Sequence, residues 1–589
     1  MALPNKNDTI QTIKRVRVWY GLLVLVVAIF CVRLFYLQII NHGHYRKEAL
    51  ADQLKQYEIP ATRGVIKAHN GSATLPIVLN QQLYTLYADP VYVKKPDELA
   101  AKVAKIIGGD PAKYAEQMKA KKTRYAILAK KLSKEQKNAI EKLKSPGLGL
   151  QAQNYRTYPQ GAMAAQVLGF VDNEGKGRYG IEQASDSLLK GKAGELKAIT
   201  DANGVPLAAS KDNTRSAPQN GKDVVLTLDL AMQQKLENIV QEGTKSTKAS
   251  GVSAIIMDPY TGAIKAMANY PTYDPAKYNE VEDGKLFQNN AVTGAIEIGS
   301  IMKPLTTAAA LDQGVIKPNT TYYDPASWTV NDFKITNIEE DGGAGTRSIP
   351  ELLNLSLNTG ATWELMQMGG GKINHKARVA WNDYMVNRFM FSKQTGIEQG
   401  YESDGTVPDP EDNGAGIDLT YANTSFGQAM TATPIQVAGA FSAVLNGGTY
   451  YKPYLIDQTI DGSGKATQTK PKVVKKDAVS AQTSQEMIPL MQYVVAKRNF
   501  SPALDKTNYI FGGKTGTAQI AKPGGGYYDH LFNGTYAGFV GGDKPQYVIV
   551  VFVDKPTNGG YAGTAAAQPI YGKIAHMLTN DSYVTPKGQ

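Results

Sequence analysis

The chain has 589 residues, 42% of them hydrophobic and 20% charged, with a formal net charge of +11. That length holds three or four domains of about 150 residues, and the composition fits globular protein with a modest membrane portion. The one cysteine, Cys31, excludes a disulfide within the chain and any cysteine nucleophile beyond the apolar N-terminal segment that contains it.

A basic balance can serve nucleic acid, anionic lipid or an acidic polymer. No G-x-x-x-x-G-K-[ST], zinc-ligand spacing or arginine-rich tract is present, so the charge is read as a lysine-rich surface and nucleic acid is not expected as a partner. The six histidines are scattered, and only His42 and His44 lie close together. Without an H-E-x-x-H no metal site is expected, and without a G-x-S-x-G elbow no serine–histidine triad is supported. No cofactor is implied.

The first element is an apolar run, VWYGLLVLVVAIFCVRLFYLQII, over residues 18–40. At 1.5 Å per residue it makes a helix of roughly 35 Å, enough to span a bilayer. Lys6, Lys14, Arg15 and Arg17 precede it, opposed only by Asp8. The positive-inside rule therefore keeps residues 1–17 cytoplasmic and exports the remainder. Trp19, Tyr20 and Tyr36 suit the two interfaces. Arg33 lies near enough to the outer one to snorkel, and it could also meet a polar group of a partner within the membrane. No A-x-A site follows the run, and the residue before Cys31 is the bulky Phe30. An uncleaved single-span anchor is the reading.

Residues 41–70 are polar and helix-prone. Helical periodicity returns in ELAAKVAKIIGG and EQKNAIEKLK, within the lysine-rich stretch 91–145. A turn-rich segment follows Asn154. Val224–Asp229 reads as a strand, and LAMQQKLENIVQEG as a helix. At Gly251 the pattern changes: GVSAIIMDPYTGAIKAMANY is a hairpin turning at Asp258–Gly262, and it opens a new domain. A helix starts at Ser300 and stops at Gly314, with Pro304 tolerable about one turn in. PELLNLSLNTGATWELMQMG reads as two helices around Ser356 and Asn358. YIFGGKTGTAQ, TYAGFVGG and QYVIVVFVDKP are strands, the last with the continuous apolar run of a buried strand. AAAQPIYGKIAHMLTN is a closing helix. Loops are expected over 336–348, 398–416, 461–470 and 521–528. Strands at both ends with helices between predict an α/β (α+β) fold with a mainly antiparallel sheet.

Three short motifs carry chemistry. Ser300-Ile-Met-Lys303 places a hydroxyl and an amine on one helix face, a nucleophile with its base at hand. Ser356-Leu-Asn358 adds a second hydroxyl and an amide. Lys514-Thr-Gly-Thr517 adds a cation, two hydroxyls and exposed backbone donors. Ser187-Leu-Leu-Lys190 repeats the first pattern and is read as chance. Ser356 follows Ser300 by 56 residues and Lys514 follows it by 214.

S-x-x-K, S-x-N and K-T-G in this order resemble the penicillin-recognising serine acyltransferases. The whole chain is similar to the class B, monofunctional penicillin-binding proteins. Arg63-Gly64, Arg156 with Pro159, Gly169-Phe170, Gly180-Ile-Glu182, Asp229 and Ser425-Phe-Gly-Gln428 share the resemblance. No stretch of about 200 residues for glycan polymerisation separates anchor from pedestal. One departure is Ile298, where the family usually has proline two residues before the serine.

The resemblance implies a penicillin-binding transpeptidase fold, an antiparallel sheet flanked by helices, preceded by an elongated pedestal. The expected domains are a tail 1–17, an anchor 18–40, a pedestal 41–245 for dimerisation or partner contact, and a transpeptidase domain 246–589. It implies D,D-transpeptidation of peptidoglycan stem peptides in cell division or cell elongation, with β-lactams as covalent inhibitors. Ser300 would be the nucleophile and Lys303 its base, its amine made available by burial and by the nearby Lys514. Ser356 would relay the proton and Asn358 bind the substrate's peptide carbonyl. Lys514, Thr515 and Thr517 would hold its carboxylate, and Gly516 would admit it to the backbone. The oxyanion hole would be the backbone N–H groups of Ser300 and Thr517. Implied partners are the cytoplasmic membrane, a polytopic glycan-polymerising membrane protein and other cell-wall synthesis proteins. The alternatives are a carboxypeptidase or β-lactamase-type hydrolase, and a catalytically silent scaffold.

Overall fold

The structure, a computed structural model, describes residues 6–45, 54–199, 214–337 and 343–589. These fall into two compact units, residues 1–62 with 191–220, and 63–190 with 221–589.

In the first unit the helix Lys6–Phe35 runs on through a π turn, Tyr36–Ile40. Its 26-residue part Arg15–Ile40, which contains an 18-residue window of mean hydropathy 2.6, is long and apolar enough to cross a bilayer and fits a single-pass anchor. Arg33 lies over the Tyr36 ring, 5.7 Å from its centroid. The helix-prone reading of 41–70 does not hold for the strands Leu54–Ile59 and Ile66–Asn70, and residues 46–53 lie outside the described residues. Leu54–Ile59 pairs antiparallel with Gly194–Ile199, which also pairs with Thr214–Ser216.

The second unit holds two large sheets. In one, Asp223–Asp229 runs parallel to Ile66–Asn70 and antiparallel to Ile456–Ile460, a partner more than 200 residues away in sequence. Ala73–Ala88 continues that sheet and pairs with both Ala126–Leu132 and Leu148–Thr157. The predicted helices in the lysine-rich stretch form as Pro96–Ile107 and Lys134–Glu141, and Pro111–Lys119 lies between them. A buried ion cluster ties this region together: Glu182, fully buried, accepts from Arg63 Nε at 2.7 Å and Arg156 Nε at 2.8 Å.

The other sheet has five antiparallel strands in the order Ile264–Tyr270, Gly251–Met257, Pro545–Asp554, Tyr527–Gly541 and Ile510–Ala521. Its central strands are apolar at consecutive positions because both faces are covered. Val548, Val550 and Phe552 join one core with Phe441 and Val444 of the helix Pro434–Leu445. Ile549, Val551 and Val553 join a second core with Leu236 and Val240 of the helix Leu230–Thr247, and with Ile570 and Ile574 of the closing helix Gln568–Asn580. The 521–528 loop is shorter than expected, since Tyr527 and Tyr528 already belong to a strand. The 461–470 loop contains a short strand, Ala466–Gln468. The 336–348 loop falls partly outside the described residues, at 338–342.

Candidate active site

The first motif sits on a tight turn. Gly299–Met302 is a 3-10 turn that runs into the helix Lys303–Asp312, with Pro304 in the first helical turn, where its missing N–H costs nothing. The 3-10 geometry brings positions three apart onto one side, so Ser300 and Lys303 share a face. Gly299 has φ +62°, and a Cβ there would lie 2.6 Å from the Thr517 carbonyl oxygen and 3.1 Å from the Thr517 nitrogen. Its own N–H donates to the Gly427 carbonyl at 2.9 Å. Ile298, two residues before the serine, has φ −90° and is fully buried, its carbonyl accepting from Thr535 Oγ1 at 2.7 Å.

The second motif spans a corner between helices. Ser348 and Glu351 form a capping box that starts the helix Ile349–Leu355. The helix ends at Ser356, which takes the left-handed conformation at φ +61° and ψ +43°. A non-glycine residue there is strained, and such strain gathers at functional sites. Asn358 opens the next helix, Asn358–Met368. The third motif lies on Ile510–Ala521, the edge strand of the five-stranded sheet. A Cβ on Gly516 would lie 2.6 Å from the Ile298 carbonyl oxygen and 3.1 Å from the Ile301 nitrogen, so only glycine lets this strand approach the serine turn.

The motifs converge on one hydroxyl. Ser356 Oγ accepts from Lys303 Nζ at 3.1 Å and from Lys514 Nζ at 2.9 Å. Lys303 is fully buried and Lys514 only 1% exposed. Lys303 Nζ also donates to the Ser356 carbonyl and, at 2.9 Å, to Asn358 Oδ1. A hydroxyl has two lone pairs and one proton, so Ser356 can accept from both amines and still donate to a third group. These three bonds of Lys303 run to the 356–358 motif. Asn358 Nδ2 donates one bond to the Thr336 carbonyl at 3.0 Å. Thr517 Oγ1 accepts from the Gly563 N–H at 2.9 Å.

Ser300, Ser356, Asn358, Thr515 and Thr517 line one cleft of about 300 Å³. Ser187 and Lys190 are not part of it and lie on the short helix Asp186–Lys190. Phe426 and Gln428 also line the cleft, so the Ser425–Gln428 segment both seats the serine turn and walls the site. Arg498, Tyr561 and Thr564 line it as well. None of these three stands in a recognisable pattern, and only their tertiary position reveals them. Glu297, three residues before Ser300, accepts from the Tyr527 hydroxyl and the Ala429 N–H, each at 3.0 Å. Burial raises its pKa against those two bonds, which lower it. The contact ties the hairpin after the K-T-G strand to the loop that carries the serine.

The penicillin binding protein transpeptidase domain family matches residues 252–576, and the penicillin-binding protein dimerisation domain family matches residues 58–226. Stage V sporulation protein D of Bacillus subtilis is 30% identical over 568 residues, covering 96% of this chain and 85% of its own length. The peptidoglycan D,D-transpeptidase FtsI of Escherichia coli is 24% identical over 574 residues, covering 96% of this chain and 91% of its own. In fold, the chain is similar to a crystal structure of penicillin binding protein 3 from Mycobacterium tuberculosis complexed with aztreonam. The TM-score is 0.67 at 24% identity, covering 90% of this chain and 98% of that one. With three motifs from distant parts of the chain meeting on one hydroxyl, and a family match across more than half its length, the chain belongs to the penicillin-binding protein transpeptidases, in their class B form with an N-terminal dimerisation domain.

Proposed function

We propose that the protein is a serine D,D-transpeptidase that cross-links peptidoglycan stem peptides in bacterial cell division or elongation, and that β-lactams acylate it. One observation carries the reading: the amines of Lys303 and Lys514 meet on Ser356 Oγ beside a cleft that also presents Ser300.

Ser300 Oγ attacks the carbonyl carbon of the penultimate D-alanine and loses its proton to the Lys303 amine. The C–N bond breaks, and the proton passes through Ser356 to the departing D-alanine nitrogen. An amine of a second stem peptide then attacks the ester, its proton returns along the same path, and Ser300 is regenerated. The developing oxyanion lies between the backbone N–H groups of Ser300 and Thr517. The close approach of Gly299 to Thr517 supports that pairing, and one such donor is worth about 3–4 kcal/mol of barrier. The K-T-G strand is a sheet edge, so a stem peptide can lie along it, its carboxylate held by Lys514, Thr515 and Thr517. Asn358 keeps one amide hydrogen for the substrate carbonyl beyond its bond to Thr336.

The domain reading is a tail 1–17, an anchor 18–40, a pedestal 41–245 and a catalytic domain 246–589 on the outer face of the cytoplasmic membrane. The positive residues before the anchor support that orientation. The partner class is a polytopic glycan-polymerising membrane protein. The test is intact-protein mass spectrometry of the full chain in detergent after benzylpenicillin, with Ser300→Ala alongside. A stable single adduct on the wild type alone is expected. Adduct on Ser300→Ala removes the nucleophile assignment, and rapid penicillin turnover means a hydrolase.

A further inference from the structure

Among the described residues that line the cleft, Arg498 is the only one with a charged side chain, and no aspartate or glutamate stands beside it in that wall. Arg498 follows the helix Ala481–Ala496 by two residues and is half-buried. Its Nη2 donates to the Asn354 carbonyl at 2.9 Å. Asn354 is in the last turn of the helix Ile349–Leu355, where carbonyls lack a donor from their own helix. The main chain at Arg498 is held as well, since Lys506 Nζ donates to the Val495 carbonyl at 3.0 Å and to the Arg498 carbonyl at 3.3 Å. A guanidinium has five N–H donors in a planar fork. The bond to Asn354 fixes the plane of that fork, and the cleft receives the rest of it.

Asn354 is two residues before Ser356, so the guanidinium stands at the corner where the two lysine amines meet. In the acyl-transfer steps Ser356 gives a proton to the departing D-alanine nitrogen. The carboxylate of that residue is bonded to the same Cα as the nitrogen, and it therefore lies at this corner too. Lys514 alone is poorly placed to hold it. An ammonium has three donors, and those of Lys514 already reach Ser356 Oγ at 2.9 Å and the Thr515 carbonyl at 3.0 Å. At most one remains for a ligand. A carboxylate offers two oxygens, and an arginine fork can meet both in a pair of charge-assisted bonds.

We propose that Arg498 is a specificity-determining residue that binds the carboxylate of the departing D-alanine, completing the subsite formed by Lys514, Thr515 and Thr517. The inference rests on the transpeptidase reading. It makes the free acid at the end of the donor stem peptide a requirement read by a residue outside the three motifs.

The test compares two thioesters of the same N-acylated D-alanine, one with mercaptoacetic acid as leaving group and one with mercaptoacetamide. Both offer Ser300 the same carbonyl, and only the first has a carboxylate on its leaving group. The quantity is the ratio of their kcat/KM values, read as thiol release by the full chain in detergent. Wild type should prefer the acid, and Arg498→Gln should lower that ratio by roughly tenfold to a hundredfold, the range for a hydrogen bond to a charged group. Arg498→Lys keeps the charge without the fork and should retain more of the preference than the glutamine variant. Both rates falling together in Arg498→Gln would mean that the arginine only ties down the helix end at Asn354, and overturns the proposal. So does an unmoved ratio, or a lysine variant no better than glutamine. A wild type indifferent to the carboxylate overturns it without any variant having to fold. Thiol release by Ser300→Ala equal to wild type, or by neither protein, removes the catalytic reading and this inference with it. Release that depends on Ser300, with an unmoved ratio in Arg498→Gln, removes the inference alone.

Discussion

Glu364→Gln should make the protein more stable, and increasingly so as pH rises. Glutamine keeps the shape and an acceptor for Thr307 Oγ1 while removing the ionisation. The folded protein holds the carboxyl proton up to about pH 8, whereas the unfolded chain releases it near 4.5. Between those values the folded state binds more protons, so stability falls as pH rises. At 1.36 kcal/mol per pH decade the penalty is under about 1 kcal/mol at pH 5, about 3 at pH 7 and about 5 above pH 8. For a domain of roughly 330 residues, with an unfolding entropy of about 0.7 kcal/mol/K, the pH 7 figure corresponds to a Tm higher by about 5 °C. The assay is thermal unfolding of wild type and Glu364→Gln, full chain in detergent, at pH 5, 7 and 9. The reasoning fails if the gap is flat or shrinks with pH. It fails outright if the glutamine variant is less stable at pH 7, because that is how a buried carboxylate–ammonium pair behaves when one partner is removed.

Three further outcomes follow from the geometry. Ser356→Gly relieves a left-handed serine and deletes the hydroxyl both amines reach, so stability should hold or rise by about 1 kcal/mol. Penicillin acylation of the same variant should fall by about a hundredfold or more; a loss of both together would mean the hydroxyl is structural. Gly299→Ala drives a methyl into the Thr517 carbonyl at a positive φ, and should abolish measurable acylation while Tm drops. Wild-type labelling of that variant would show that the turn and the K-T-G strand can separate without consequence. Glu182→Ala removes the carboxylate shared by Arg63, which keeps Asp186, and by Arg156, whose side chain is only 3% exposed and keeps the neutral Asn80, and should cost about 3–5 kcal/mol in thermal unfolding.

The three motifs were legible because each is local. S-x-x-K puts Ser300 and Lys303 on one face of a turn, and S-x-N places its hydroxyl at a helix end, in each case through short-range geometry. Ile549 to Val553 announced a strand buried on both faces, and the hairpin from Gly251 to Tyr270 formed as its turn residues required. The strands at 54–59 and 66–70 were read as helical because polar residues with good helix propensity fill them. Leu54–Ile59 pairs with Gly194–Ile199, more than a hundred residues on, and Ile66–Asn70 lies between the adjacent Ala73–Ala88 and the equally distant Asp223–Asp229, where no local pattern reaches.

By itself, then, the amino-acid sequence determined a helix long and apolar enough to cross a membrane, the run of helices and strands that frame the domain holding the cleft, and the identity of the three motifs. Only the tertiary structure decided that Lys303 and Lys514 share one hydroxyl, that Ile456–Ile460 closes a sheet begun at Ile66, and that Arg498 faces the cleft. It also decided that Glu364 is dry. Residue type says that a carboxyl can ionise; whether it does so near 4.5 or near 8 depends on which helices exclude water from it, and that exclusion comes from packing between segments far apart in the chain.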